Sequence, residues 1–177
     1  MKDSNKEILK QFADQYVIDW RLLAAILMKE SNQEGFDKKG KIKMRMEKHI
    51  LAGFREVVVG IKQRHPSLPG LKAAWIKKHN PDELNLMSAS WGMAQIMGYW
   101  YDLLNHKSVK DMIEAWEVSE EIMIRDFCLF CVKYNDGKFL DALQKCNIPS
   151  IAMQYNGRGF AQNNYDKDLI KYMQAQK

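Results

Sequence analysis

A mainly α chain with one small β element is the fold this sequence predicts, and three observations predict it. Apolar residues recur at helical spacing in successive stretches of the 177 residues. Helix-start signals, a Ser, Asp or Asn followed closely by an acid, stand ahead of most of those stretches. A single segment, Gly40 to Glu47, alternates polar and apolar side chains with period two, which describes a half-buried strand. Glycine and proline are sparse, at 10 and 4, and no linker or repeat interrupts the pattern, so residues 1–177 read as one domain.

Taken in order, Ser4 with Glu7 reads as a capping box ahead of the stripe Ile8, Leu9, Phe12, Ala13, Tyr16. Asp19 caps a second helix that carries Leu23, Ile26 and Leu27 and ends near Gly35. The turn Asp37-Lys38-Lys39-Gly40 leads into the strand, and a third helix is expected from about 47 to 64, before His65-Pro66. Asn80-Pro81-Asp82-Glu83 is a further start, with Pro at N1 and Glu at N3. Ser88 to Gly98 reads as a short apolar helix. Ser108 with Asp111, and Ser119 with Glu120 and Glu121, open two more helices. Asn135-Asp136-Gly137 is a turn, after which helices near 138–145, 148–155 and 164–175 complete the chain.

Composition narrows the function classes. Lys and Arg number 27 against 22 Asp and Glu, a net charge of +5 with a pI near 9.0, which suits an anionic partner without choosing one. The longest apolar run, Leu22 to Met28, falls far short of the roughly 20 residues of a membrane span, so no stable membrane insertion is expected. The first residues have no apolar h-region, so synthesis in the cytoplasm without a signal peptide is expected. Cys128, Cys131 and Cys146 are read as reduced, and Cys128-Leu129-Phe130-Cys131, on a stripe with Ile124 and Phe127, as core thiols rather than a redox or zinc motif. His65, His79 and His106 lack metal-ligand spacing, so neither metal nor cofactor is expected. No helix interleaves aromatics with lysines, which argues against nucleic acid. Lys38, Lys39, Lys41, Lys43, Arg45 and Lys48 form a basic run, either a solvated strand face or an attractor of anionic polymers.

Three segments hold candidate chemistry. Leu23, Ile26, Leu27 and Glu30 follow the i, i+3, i+4, i+7 pattern, which sets a carboxylate on the core stripe. Desolvation there would raise its pKa and keep a general acid loaded, unless the helix frays and Glu30 reaches water. In Ser88 to Gly98, Gly92 suggests a close backbone approach to a helix or a ligand, Trp91 a flat face, and Gln95 a neutral donor and acceptor. Tyr155-Asn156-Gly157 would hold Tyr155 at a helix terminus, or form an ordinary turn.

Glu30-Ser31 with Gly35-Phe36, Met46-Glu47-Lys48-His49, Ser90 to Gly98, and Tyr155-Asn156-Gly157 together resemble, in order, the boxes of the N-acetylmuramidase family found in phage endolysins. That family is similar in its Glu-Ser, Gly-x-x-Gln and Tyr-Asn-Gly elements to goose-type lysozymes and soluble lytic transglycosylases. The chain departs from the family pattern in carrying Glu34 one turn after Glu30, and Lys48 where an arginine is common.

The resemblance implies a lysozyme-like helical domain whose small β element follows the helix carrying the catalytic Glu. It implies cleavage of the β-1,4 bond from N-acetylmuramic acid to N-acetylglucosamine in bacterial peptidoglycan, with Glu30 as general acid and Glu47 as second carboxylate. Trp91, Gln95, Tyr155 and Asn156 would hold the sugar, Trp91 either stacking on a ring or packing behind the site, and His49 would anchor the strand. Carboxyl groups about 6.5–9.5 Å apart would mean inversion, and about 5 Å retention. If Glu47 points away, Glu30 alone would give 1,6-anhydro ends, as in a lytic transglycosylase. A wall-binding helical module that does not cut is the remaining alternative. A monomeric phage lysis protein is expected, reaching the wall through a holin or a secretion apparatus.

Overall fold

The structure, a computed structural model, describes residues 1–60 and 71–176. Helix α1 (Asp3–Tyr16) starts ahead of the expected cap: Lys2 takes the N-cap position and no side chain closes it, so Ser4 and Glu7 lie inside the helix. Tertiary contacts replace the capping box. The Glu120 carboxylate accepts from Lys2 Nζ at 3.0 Å, from Asn5 Nδ2 at 3.3 Å and from the Gly35 N–H at 2.9 Å. Burial works against its charge, but these donors hold Glu120 below the usual carboxylate range.

Helix α2 (Trp20–Ser31) opens on Asp19, whose Oδ1 accepts the Arg21 N–H at 3.0 Å, as the sequence predicts. It stops before Gly35 because Asn32 and Gln33 both adopt φ of 59°. Asp37 then closes a turn by accepting the N–H groups of Lys39 and Lys41. Strand β1 (Met44–Met46) keeps only three of the eight expected residues, and all three are exposed rather than half-buried. Helix α3 (Lys48–Val58) ends earlier than expected, and residues 61–64 of that expectation lie outside the described residues. A short α4 (Ala73–Ile76) was not foreseen. The reciprocal box of Asn80 and Glu83 starts α5 (Pro81–Met87) as predicted.

The apolar helix expected at 88–98 is a hairpin instead, made of β2 (Ala89–Trp91) and β3 (Ile96–Met97). Gly92 at φ 69° and Gln95 at φ 50° turn the chain where a helix would need negative φ. β2 pairs antiparallel with β1 (Met44 opposite Trp91) and with β3 (Ser90 opposite Met97), giving the order β1-β2-β3. Helices α6 (Val109–Val118), α7 (Glu120–Lys133), α8 (Lys138–Gln144), α9 (Ile148–Asn156) and α10 (Tyr165–Ala175) follow close to the predicted bounds. Ser108 and Ser119 cap as expected, accepting from Asp111 and Ile122. The chain is thus mainly α with one small sheet, the predicted class.

The elements form two compact units. The first comprises Met1–Lys43, Gly92–Ala94 and Ala115–Lys177. Its core is built on α2, where Leu22 through Leu27 are each 0% exposed, joined by Trp116, Phe127, Phe139, Ile151 and Leu169. Burying each such large apolar side chain contributes about 1.5–3 kcal/mol. The second comprises Met44–Trp91 and Gln95–Glu114, closed around Phe54, Ile76, Met87, Tyr99 and Met112.

Candidate active site

In the first unit, the stripe that carries Leu23, Ile26 and Leu27 into the core leaves Glu30 half-buried in the last turn of α2. The carboxylate is neither sealed in nor frayed into water, because the first turn of α10 covers it. The hydroxyl of Tyr165, a residue 1% exposed, donates to Glu30 Oε1 at 2.6 Å. A buried tyrosine hydroxyl needs such a partner.

Tyr155, near the end of α9, is half-buried. Its ring packs among Phe127, Phe130 and Phe139 and stacks on Tyr165 at 25° with centroids 6.5 Å apart. Its hydroxyl donates to the Ala94 carbonyl at 2.6 Å. Burial pushes the phenol well above its ordinary pKa, and the charge of Glu30 adds to the shift, so Tyr155 is a neutral donor at working pH. Asn156, the last residue of α9, is exposed where Gly157 at φ 80° ends the helix. Glu34, the second acid near Glu30, is exposed and ion-paired with Lys43 at 2.8 Å, which holds its carboxyl below the usual range.

In the second unit, Glu47 occupies the N-cap position of α3, but its side chain does not cap the helix. Half-buried, it accepts from Arg45 Nε at 2.7 Å, lies 3.7 Å from His49 Nδ1, and its N–H donates to the Ser88 carbonyl at 3.0 Å. His49 lies in the first turn of α3, directly after the strand that ends at Met46. Gln95, in the β2–β3 turn, accepts at Oε1 from Ser90 Oγ at 2.9 Å. Trp91 is 7% exposed and its indole N–H donates to the Leu86 carbonyl at 2.9 Å.

Cys128 and Cys131 are buried free thiols and Cys146 an exposed one. Burial pushes Cys128 up to about 12 and Cys131 well above the ordinary thiol value, so both are inert core residues as predicted. Among the described residues no cluster of three His, Cys, Asp or Glu side chains is placed to hold a metal ion, and no helix is long and apolar enough to cross a membrane.

Tyr165 was not among the expected site residues. The signal was present: Tyr165 and Leu169 share the buried face of the last helix, and a tyrosine on such a face brings a hydroxyl that must find an acceptor. Tyr165→Phe is expected to keep the fold and lower turnover roughly 10–100-fold, the worth of a hydrogen bond to a charged group. The hydroxyl favours the ionised carboxylate, so its removal leaves the acid loaded to higher pH. The basic limb of the pH–rate profile should therefore move upward, and a limb that stays in place would show that the bond does not reach the reacting group.

The fold has a solved counterpart. The structure matches that of the Burkholderia AP3 phage endolysin with a TM-score of 0.71 and 24% identity, over 96% of this chain and 69% of that one. This likeness shows a shared fold, mainly α with a small sheet. No curated protein matches the chain. The model of the N-acetylmuramidase family matches residues 70–177, which include Trp91, Gln95, Tyr155 and Asn156 but neither Glu30 nor Glu47. The chain belongs to the N-acetylmuramidase family, and is a glycoside hydrolase that degrades peptidoglycan.

Proposed function

We propose that this muramidase cleaves the β-1,4 bond from N-acetylmuramic acid to N-acetylglucosamine, that Glu30 is its general acid, and that residues 1–177 act as one catalytic domain. The observation that carries the reading is the half-buried Glu30 carboxyl at the end of α2, held at Oε1 by the Tyr165 hydroxyl. Protonation of the leaving oxygen lets the glycosidic bond break toward an oxocarbenium-like centre. Glu47 is the second carboxylate, activating water or balancing that positive charge. Gln95, Tyr155 and Asn156 hold the sugar and its acetamido groups, and Trp91 backs them. The protein acts as a monomeric phage endolysin that reaches the wall through a holin or a secretion system.

A second reading rests on Arg45, whose guanidinium sits 2.7 Å from Glu47 Oε1. A carboxylate oxygen occupied in this way is less available to orient a water. Glu30 would then serve as both acid and base, with the muramyl 6-hydroxyl attacking to leave a 1,6-anhydro end.

Mass spectrometry of peptidoglycan digested by the purified protein separates these readings. Reducing muramic ends are expected. Anhydro-muramic ends would favour the second reading, reducing glucosamine ends would mean the other glycosidic bond is cut, and binding without new ends would mean a wall-binding module.

A further inference from the structure

We propose that Lys29 and Asp168 form a positioning pair that holds the Tyr165 hydroxyl on Glu30, and so fixes which oxygen of the acid faces the substrate. The inference rests on the reading of Glu30 as the acid. Two bonds join the same two helix turns. Lys29 and Glu30 are neighbours in the last turn of α2, and Tyr165 and Asp168 lie three residues apart in the first turn of α10, on one face. Lys29 Nζ meets Asp168 Oδ2 at 2.5 Å, and Tyr165 meets Glu30 Oε1 at 2.6 Å.

The start of α10 gives Tyr165 little local guidance. Its N-cap residue, Asn164, takes φ 51° and makes no side-chain cap bond. The Tyr165 N–H bonds the Phe160 carbonyl at 2.9 Å, which fixes the backbone, and Lys29 adds a restraint from outside the helix. Its ammonium donates to the Asn163 carbonyl at 3.4 Å, lies 5.7 Å from the centre of the Tyr165 ring, and pairs with Asp168 one turn further on. One cation thus touches the chain before, at and after Tyr165. The side chains of Lys29 and Asp168 are 23% and 30% exposed, so water screens the pair less than it would a pair on the open surface. Titratable and charged groups that face this cluster among the described residues include Tyr165 and Asp168 from α10, Tyr155 from α9, and Lys29 on the same helix as Glu30. Asp168 holds the Lys29 cation on α10.

The test compares Lys29→Met and Lys29→Arg with Tyr165→Phe and the double variant of Lys29→Met with Tyr165→Phe. The Tyr165 hydroxyl proton, assigned in NMR spectra by its loss in Tyr165→Phe, reports the bond without reference to activity. Lys29→Met is expected to remain folded, to lose the protected hydroxyl signal, and to lower kcat toward that of Tyr165→Phe with KM unchanged. Its basic pH limb should move in the same direction, the double variant should be no worse than Tyr165→Phe, and Lys29→Arg should restore the signal. A Lys29→Met protein that keeps the hydroxyl signal and kcat, or effects that multiply in the double variant, would overturn the proposal. If Lys29→Met does not fold, Asp168→Asn replaces it with the same expected outcomes. Glu30→Gln reads the underlying assignment separately: full activity there would remove Glu30 as the acid, while a hydroxyl signal that still depends on Lys29 would leave the positioning intact.

Discussion

Glu30→Gln is expected to fold and melt as the native chain does, and to lose about 10²–10⁴-fold in the rate at which reducing ends appear from peptidoglycan. The amide is the same shape and offers Tyr165 a carbonyl oxygen in place of a carboxylate oxygen, so the contact between α2 and α10 survives. What disappears is the transferable proton. Binding should persist, seen as a retained Kd for insoluble wall with turnover removed. A variant that clears wall suspensions at the native rate would exclude Glu30, and attention would pass to Glu47, since Lys43 keeps Glu34 ionised.

Gly92→Ala is expected to destabilise the protein by about 2–4 kcal/mol. Left-handed backbone at φ 69° costs a residue with a Cβ about 1–2 kcal/mol. The added carbon would also lie 3.0 Å from Trp116 Cε3 and 3.2 Å from Met123 Sδ. Overpacking of this kind costs about 1–3 kcal/mol. Met123 is flexible enough to yield, but Trp116 is not: it is 1% exposed and its indole N–H is bonded to Asp126 at 2.6 Å. In a chain of this length each kcal/mol lowers Tm by about 2–4 °C, so differential scanning calorimetry reads the effect directly. An unchanged Tm would show that the ring beneath Gly92 has room to move.

The helix starts were legible wherever the capping chemistry is local. Asp19, the Asn80 and Glu83 box, Ser108 and Ser119 close their helices with bonds two or three residues away, and such bonds leave a sequence signature. Ser4 and Glu7 carry the same signature without the bond, because Glu120, 115 residues from Asn5, fixes the start of that helix instead. The hairpin at 89–97 was misread for a related reason. Its apolar run has no clear period of two, and the turn is decided by positive φ at Gly92 and Gln95 and by the ring beneath Gly92. The expectation of a close approach at Gly92 was sound, and the neighbour is the helix residue Trp116. At the candidate site, Glu30 was legible because it continues a stripe whose other members are fully buried. Tyr165 was not, because its partner lies 135 residues away.

That sequence separation makes the order of α10 a condition for the surroundings of Glu30. This helix brings both the hydroxyl that meets Glu30 and the carboxylate that meets Lys29. Fraying that frees its first turn therefore withdraws two partners of α2 at once, so a disturbance of α10 should be felt at the end of α2 before the buried stripe of that helix melts.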